Sequence, residues 1–266
     1  MLSGLTLTSD FGFRNPALAV VKAKLFGALP DVAVFDINHQ IEPFNTQQAV
    51  YFFEQAYRHF PENTVHFVFY NLYENANKQL LYVYENRQHI FCPDNGFITM
   101  LFHERPLQLF RLNDQEIVHF NYQEVCDHYL HGYELISQEV KQGFTPITIQ
   151  DILVKRPNQA TYANNIIDAQ VLFVDHYGNV VLNVKEDFFE VSGRNRPFRI
   201  SFLKNEEINT LNKHYFDVEA GEVMAWFNTA GYLEIAVHMG SAAELFGFQA
   251  ARERSLFYNQ VKIFFE

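Results

Sequence analysis

TLTSDFG, Thr6 to Gly12, opens the pattern that decides the fold. Leu5 to Thr8 reads as a short buried strand, and Asp10 follows it directly, ahead of Phe11-Gly12. Outward from there, Val32 to Asp36 and Val65 to Tyr70 read as further buried strands, while Pro16 to Leu29 and Thr46 to Arg58 carry helical periodicity between them. This alternation predicts an α/β N-terminal domain with a mostly parallel central sheet. Open sheets of that kind bind ligands in the crevice beyond the carboxyl ends of their strands, which is where Asp10 falls. Asn45, with Gln48 three residues on, has the spacing of a capping box for the second helix. Leu80 to Tyr84 and His89 to Cys92 read as another strand pair, and Tyr122 to Lys141 as a helix.

The chain then changes character. Arg156-Pro157-Asn158 through Asn164-Asn165 is polar, rich in turn formers and without a sustained period. The expected organisation is an α/β domain over 1–150, a linker over 151–165 and a smaller all-β, barrel-like C-terminal domain over 166–266. The last rests on short β-type runs at Val171 to Val174, Val180 to Val184, Phe198 to Phe202, Met224 to Phe227, Leu233 to Val237 and Tyr258 to Phe265. Only Ser241 to Phe246 reads as a short helix there.

Twenty Lys plus Arg against 31 Asp plus Glu give a formal charge of −11, which argues against nonspecific binding to nucleic acid or anionic lipid. Two cysteines, Cys92 and Cys126, are too few for a disulfide framework and fit a reducing, cytoplasmic setting. The segment MLSGLTLTSD does not read as a signal peptide, and no stretch has the length of a membrane span. Twenty-eight Phe and 14 Tyr point to a ring-rich core and subunit interface.

Residue chemistry leaves alternatives open. Asp10 can accept bonds from both hydroxyls of a ribose, or from local backbone N–H groups in a turn. Asp36, Asn38 and His39 lie at another strand end, with Phe44 in the loop after Pro43. Asp175-His176-Tyr177-Gly178-Asn179 reads equally as a ligand-contacting turn or an Asx-type hairpin turn. His131 on an apolar helix is compatible with a structural role. Cys126, His128 and His131 do not share one helical face, so no metal site is expected. Walker A, dinucleotide-glycine, Gly-x-Ser-x-Gly and Cys-x-x-Cys motifs are absent.

In order, TLTSDFG, DINHQIEPF (Asp36 to Phe44), PDNG (Pro93 to Gly96), DHYGNVVLN (Asp175 to Asn183) and NTAGYLEIAV (Asn228 to Val237) resemble the S-adenosyl-L-methionine (SAM) hydroxide adenosyltransferase family, whose relatives include the SAM-dependent fluorinase and chlorinase. The resemblance implies that Asp10 holds the ribose diol and that Phe44 packs near the ligand. Asp175, in a turn where Tyr177 stands for Phe, would take the amino-acid end of SAM, and Asn179 the adenine edge. Thr229, within a motif that includes Asn228 and Glu234, would receive the methionine carboxylate, with the backbone of Val237 and Met239 near adenine.

The family also carries an acidic residue, Pro-Gly-Val-Gly and a basic pair, whose Asp and Arg join a His to activate water. This chain instead reads Asn71-Leu72-Tyr73-Glu74-Asn75-Ala76-Asn77-Lys78-Gln79. Asn71 takes the place of the Asp and Lys78 that of the Arg, while His131 matches the His, so the resemblance implies a catalytic group of Asn71, Lys78 and His131 in which His131 with Lys78 handles the water. The Asn71 amide cannot act as a base, and Glu74 is a candidate replacement carboxylate. The expected activity is hydrolysis of SAM to adenosine and methionine with no cofactor, in a homotrimer whose site lies between subunits. The alternative is a SAM- or adenosine-binding protein that has lost turnover.

Overall fold

The structure is a computed structural model that describes residues 2–74, 79–103, 107–112, 117, 119–140, 142–203, 206–248 and 260–266. The chain divides into two compact units, Met1–Pro157 and Asn158–Glu266.

The first unit runs β1 (Gly4–Ser9), α1 (Ala17–Ala28), β2 (Val34–Asn38), α2 (Thr46–Tyr57), β3 (Thr64–Phe69), β4 (Leu80–Glu85), β5 (Gln88–Pro93), α3 (Phe97–Leu101), β6 (Gln108–Leu112), α4 (Tyr122–Ser137) and β7 (Phe144–Pro146). Its seven-stranded sheet has the order β2-β1-β3-β5-β4-β6-β7. Pairs β2–β1, β1–β3 and β3–β5 are parallel, as the alternating pattern leads one to expect. Pairs β5–β4, β4–β6 and β6–β7 are antiparallel, so the sheet is mixed rather than mostly parallel. The switch comes from the β4–β5 hairpin. Its turn residues Asn86 and Arg87 both have positive φ, 51° and 60°, as a tight two-residue hairpin turn requires.

Period-two alternation makes both faces of the sheet apolar. Val65, Phe67 and Phe69 pack with Leu18, Val21 and Leu25 of α1 and Val125 and Tyr129 of α4. The intervening Val68, followed by Tyr70, packs with Phe53 and Tyr57 of α2 and Phe97 of α3 on the other face. Phe53 stacks on Tyr57 at 4.9 Å and meets the Phe97 edge at 5.3 Å. Removing such a fully buried ring typically costs about 3–5 kcal/mol. The Asn45 side chain accepts from the Gln48 N–H as expected, but the Gln48 side chain accepts from the Glu42 N–H (2.6 Å), so the reciprocal half of the box is displaced into the preceding loop. Helix α4 ends at Ser137, before the expected Lys141, because Glu139 turns into the left-handed region at φ 57°. Lys141 itself lies outside the described residues.

The stretch expected to be a linker carries structure. Ile152 packs into the α2–α3 face of the first unit, Ala160 belongs to the core of the second, and Thr161–Ala163 is a strand.

The second unit runs β8 (Thr161–Ala163), β9 (Ile166–Val174), β10 (Val180–Lys185), α5 (Glu186–Gly193), β11 (Phe198–Leu203), β12 (Glu206–Ile208), β13 (Val223–Phe227), β14 (Tyr232–Val237), α6 (Ala242–Phe246) and β15 (Gln260–Phe265). Its sheet has the order β12-β11-β15-β9-β10-β14-β13, with β8 on β9, and all its pairs are antiparallel. The edge strands β12 and β13 approach each other, which brings the sheet close to a barrel. Helix α5 was not expected: EDFFEVSG is too short to show a helical period, and its Phe189 is fixed by edge contacts to Phe198, Phe227 and Phe265.

Candidate active site

In the first unit the carboxyl ends of the parallel strands β1, β2 and β3 deliver Ser9-Asp10, Asn38-His39 and Phe69 to Asn71 to one edge. There the Gly12 N–H donates to the His39 carbonyl at 2.7 Å, tying the loop after β1 to the loop after β2. His39 is buried, with Nδ1 2.7 Å from Ser9 Oγ and Nε2 3.1 Å from Asp36 Oδ1, and Lys22 pairs with Asp36 at 2.6 Å. Asp36 and His39 therefore brace the loops; neither lines the cavity beside them.

That cavity, of about 650 Å³, is lined by Asp10, Phe11, Phe44, Asn71, Tyr73 and Glu74 among others. A neighbouring cavity of about 770 Å³ shares Asp10, Phe11, Asn15 and Pro43 with it. Phe44 and Tyr73 are exposed at 62% and 72%, leaving their rings open to a flat ligand. Phe11 is set by edge and tilted contacts to Tyr122 and Phe69, at 5.6 and 5.9 Å.

Asp10 Oδ2 accepts the Asn71 N–H at 2.9 Å. Burial raises the Asp10 carboxyl above the usual carboxylate range, and the Asn71 N–H offsets part of that rise. Asn71 has φ 44°, a backbone conformation that Asn tolerates better than most residues, and its carbonyl faces Asn95 Nδ2 at 3.4 Å. Its side chain is engaged within the loop: Nδ2 donates to Glu74 Oε2. Glu74 Oε1 in turn pairs with Lys155 Nζ at 3.0 Å, and Lys155 reaches Thr46 Oγ1 at 3.3 Å. Sequence reading missed Lys155, which stands 81 residues beyond Glu74 with no local motif around it. The one signal that bears on it is Gly96 of PDNG. Gly96 has φ 84°, and a Cβ there would lie 2.4 Å from Lys155 Cγ.

The structure brings Asp10, Phe44, Asn71 and Glu74 together. His131 is elsewhere: its side chain is 47% exposed on α4, 3.9 Å from Glu134, and it is not among the residues lining this cavity. Lys78 lies outside the described residues.

In the second unit the Asx-type hairpin turn is realised. Asp175 Oδ1 accepts the N–H groups of Tyr177 and Asn179, each at 2.8 Å, and Oδ2 accepts Asn179 Nδ2 at 3.1 Å. Glu234, 5% exposed, accepts from Trp226 Nε1 at 2.9 Å and from Asn228 Nδ2 at 3.0 Å. Burial pushes its carboxyl up, against these bonds and a further one from Asn179. Asn228 Oδ1 closes its own turn by accepting from Ala230 and Tyr232. Asp175, Asn179, Glu234 and Asn228 thus form one polar seam, in which Asn179 Oδ1 is buried without a hydrogen-bond partner. Thr229 is exposed at the tip of the β13–β14 turn. Tyr177 (73%) and Met239 (82%, φ 56°) are also exposed, and the Val237 carbonyl accepts from Tyr215 Oη at 2.8 Å.

The SAM hydroxide adenosyltransferase N-terminal domain model matches residues 5–141, and the C-terminal domain model of that family matches residues 169–254. A Methanocaldococcus jannaschii protein named (R)-S-adenosyl-L-methionine hydrolase is 23% identical over 275 residues, covering 97% of each chain. A Thermus thermophilus protein of the same name is 26% identical over 258 residues, covering 90% of this chain and 93% of its own. Among solved structures, an uncharacterized conserved protein from Thermotoga maritima superposes with a TM-score of 0.77 at 22% identity, over 97% of this chain and 99% of that one. A conserved hypothetical protein from Thermus thermophilus gives 0.70 at 21% identity, over 100% of both chains. With both units matched in order along the chain, the protein belongs to the SAM hydroxide adenosyltransferase family.

Proposed function

We propose that the protein hydrolyses SAM to adenosine and methionine by attack of water or hydroxide on the ribose 5′ carbon. The observation that carries this reading is Asp10: a half-buried carboxylate at the ends of parallel strands, facing a cavity of about 650 Å³, within the usual range for a small-molecule site. The sulfonium is its own leaving group, so the scheme needs alignment of water and exclusion of solvent rather than a cofactor. The two relatives named as SAM hydrolases, matched over nearly their full lengths, support turnover over binding alone.

In this scheme Asp10 accepts from the ribose diol, and Phe44 lies against the ligand. Asp175 and Thr229 hold the methionyl group. Asn179, in the Asp175 turn, addresses the adenine edge. Main-chain groups of Val237 and Met239 complete the adenine contacts. Glu234 and Asn228, whose side chains bond each other and their own turn, shape this surface rather than touch the ligand. No step is assigned to His131, which is exposed on α4.

The assembly we propose is a homotrimer, supported by family membership and testable by light scattering on the purified protein. A cytoplasmic setting is in keeping with two buried cysteines that remain free thiols. Among the described residues, no helix is long and apolar enough to cross a membrane.

The test is to incubate the intact protein with SAM and quantify adenosine and methionine by mass spectrometry. Adenosine in molar excess over protein is the expected result. Intact SAM after prolonged incubation would overturn the reading.

A further inference from the structure

We propose that Glu74, clamped between Asn71 and Lys155, is the carboxylate that orients the attacking water and takes its proton; this rests on the hydrolase reading above. Among the described residues, two carboxylates line the 650 Å³ cavity, Asp10 and Glu74. Asp10 already holds the Asn71 N–H and faces the ribose position, which leaves Glu74 for the water.

Both oxygens of Glu74 are anchored, Oε2 by Asn71 Nδ2 and Oε1 by Lys155 Nζ at 3.0 Å. An ionised carboxylate has about four lone-pair sites, so each oxygen keeps one to accept from a water. With 28% of its side chain exposed, Glu74 is open to the cavity while its rotation is fixed. Asn71 serves as a donor here. An amide at this position does not compete for the proton, and it spares Glu74 the repulsion that a second carboxylate would bring.

Lys155 arrives on a strap that the PDNG segment holds in place. The Leu153 N–H donates to Asp94 Oδ1 at 2.8 Å, the Lys155 N–H donates to Thr99 Oγ1 at 2.9 Å, and Thr99 Oγ1 donates to the Leu153 carbonyl at 3.2 Å. Gly96 leaves room for the lysine stem to cross, since a Cβ there would come within 2.4–2.8 Å of three of its carbons. The cation that balances Glu74 is thus delivered from a distant segment by a dedicated set of bonds, a positioning role for Lys155.

In the reaction, the water oxygen bonds to the 5′ carbon as the carbon–sulfur bond breaks. The bonding pair goes to sulfur, giving the neutral thioether of methionine. The water proton passes to the Glu74 carboxylate and then to solvent, so SAM and water yield adenosine, methionine and one proton.

The test compares wild type, Glu74→Gln and Lys155→Met as intact proteins, reading kcat against pH, SAM affinity by calorimetry and thermal stability. Glu74→Gln is expected to lower kcat by ~100-fold or more and remove the acid limb of the kcat profile, with SAM affinity held within ~3-fold. Lys155→Met, which frees the Glu74 carboxylate to rotate, is expected to lower kcat by ~10-fold with SAM affinity held within ~3-fold. If Glu74→Gln does not fold, the ~10-fold loss of kcat at held SAM affinity in Lys155→Met carries the test. Glu74→Gln turnover within ~2-fold of wild type, or a loss of kcat that leaves the acid limb in place, would overturn the inference. Wild type that forms no adenosine would instead overturn the hydrolase reading, and this inference with it.

Discussion

Asp10 and Asp175 each follow a strand and each sit in a motif, yet the fold uses their carboxylates differently. Asp10 gives one oxygen to a distant N–H, that of Asn71, and faces a cavity. Asp175 accepts three bonds within four residues, from Tyr177, from Asn179 and from the Asn179 side chain. The first is positioned by tertiary structure and raised toward protonation by burial; the second builds the turn that carries it. Similar sequence signals therefore mark a carboxylate set by a distant segment in one unit and a carboxylate set by its own turn in the other.

The largest effect that would break this comparison comes from Asp10→Ala. Losing charge-assisted bonds to a ribose diol costs about 1.5–3 kcal/mol, so kcat/KM should fall by ~10-fold to ~150-fold. Stability should change little, because the change also removes the cost of burying a charge. The pH dependence has a definite sign. Burial raises the Asp10 carboxyl, and the diol requires the ionised form, so kcat/KM of wild type should fall as pH drops through that raised value. Asp10→Asn should remove the part of that acid limb that Asp10 contributes. A wild-type-like kcat/KM in either variant would remove Asp10 from the site.

How far the site was legible follows from the same contrast. Strands β1 to β3 and helices α1 and α2 were readable because apolar β-type runs alternate with helical periods, and the turn at Asp175 because the bonds its carboxylate accepts are local. The mixed half of the sheet was hidden: β4 and β5 look the same as strands in parallel or antiparallel pairing, and only the Asn86-Arg87 turn decides between them. The Glu74–Lys155 pair was hidden for a stronger reason. Its partners meet only after the strap has docked on Asp94 and Thr99, which no local pattern encodes. His131, matched by motif, lies on an exposed face of α4 outside the cavity of the first unit.

Asp175→Ala sharpens the comparison from the other side. Its carboxylate satisfies donors of a partly buried turn, two of them from the buried Asn179, so the expected cost is about 1–2 kcal/mol of stability. Denaturant midpoints should show it, whereas Asp10→Ala should move them far less. Equal midpoints for the two variants would mean that Asp175 is as free as Asp10.

The smallest effect separates two glycines that flank these carboxylates. Gly12 and Gly178 both have positive φ, 67° and 81°, so an added Cβ strains either backbone by about 1–2 kcal/mol. Only Gly178 is also crowded. A Cβ there would lie 2.1 Å from Ser241 Oγ and 2.6 Å from Ser241 Cβ, whereas nothing stands within 4 Å at Gly12. Ser241 cannot simply swing away, because its Oγ caps α6 by accepting the Glu244 N–H at 3.1 Å, and the Gly178 carbonyl accepts from Ala243 at 2.9 Å. Gly178→Ala should therefore destabilise by about 1 kcal/mol more than Gly12→Ala, roughly the cost of a lost helix cap. Chemical denaturation of the two variants checks the difference. Equal losses would show that the Asp175 turn yields to an added methyl as readily as the open loop after β1, and that its shape is not held by α6.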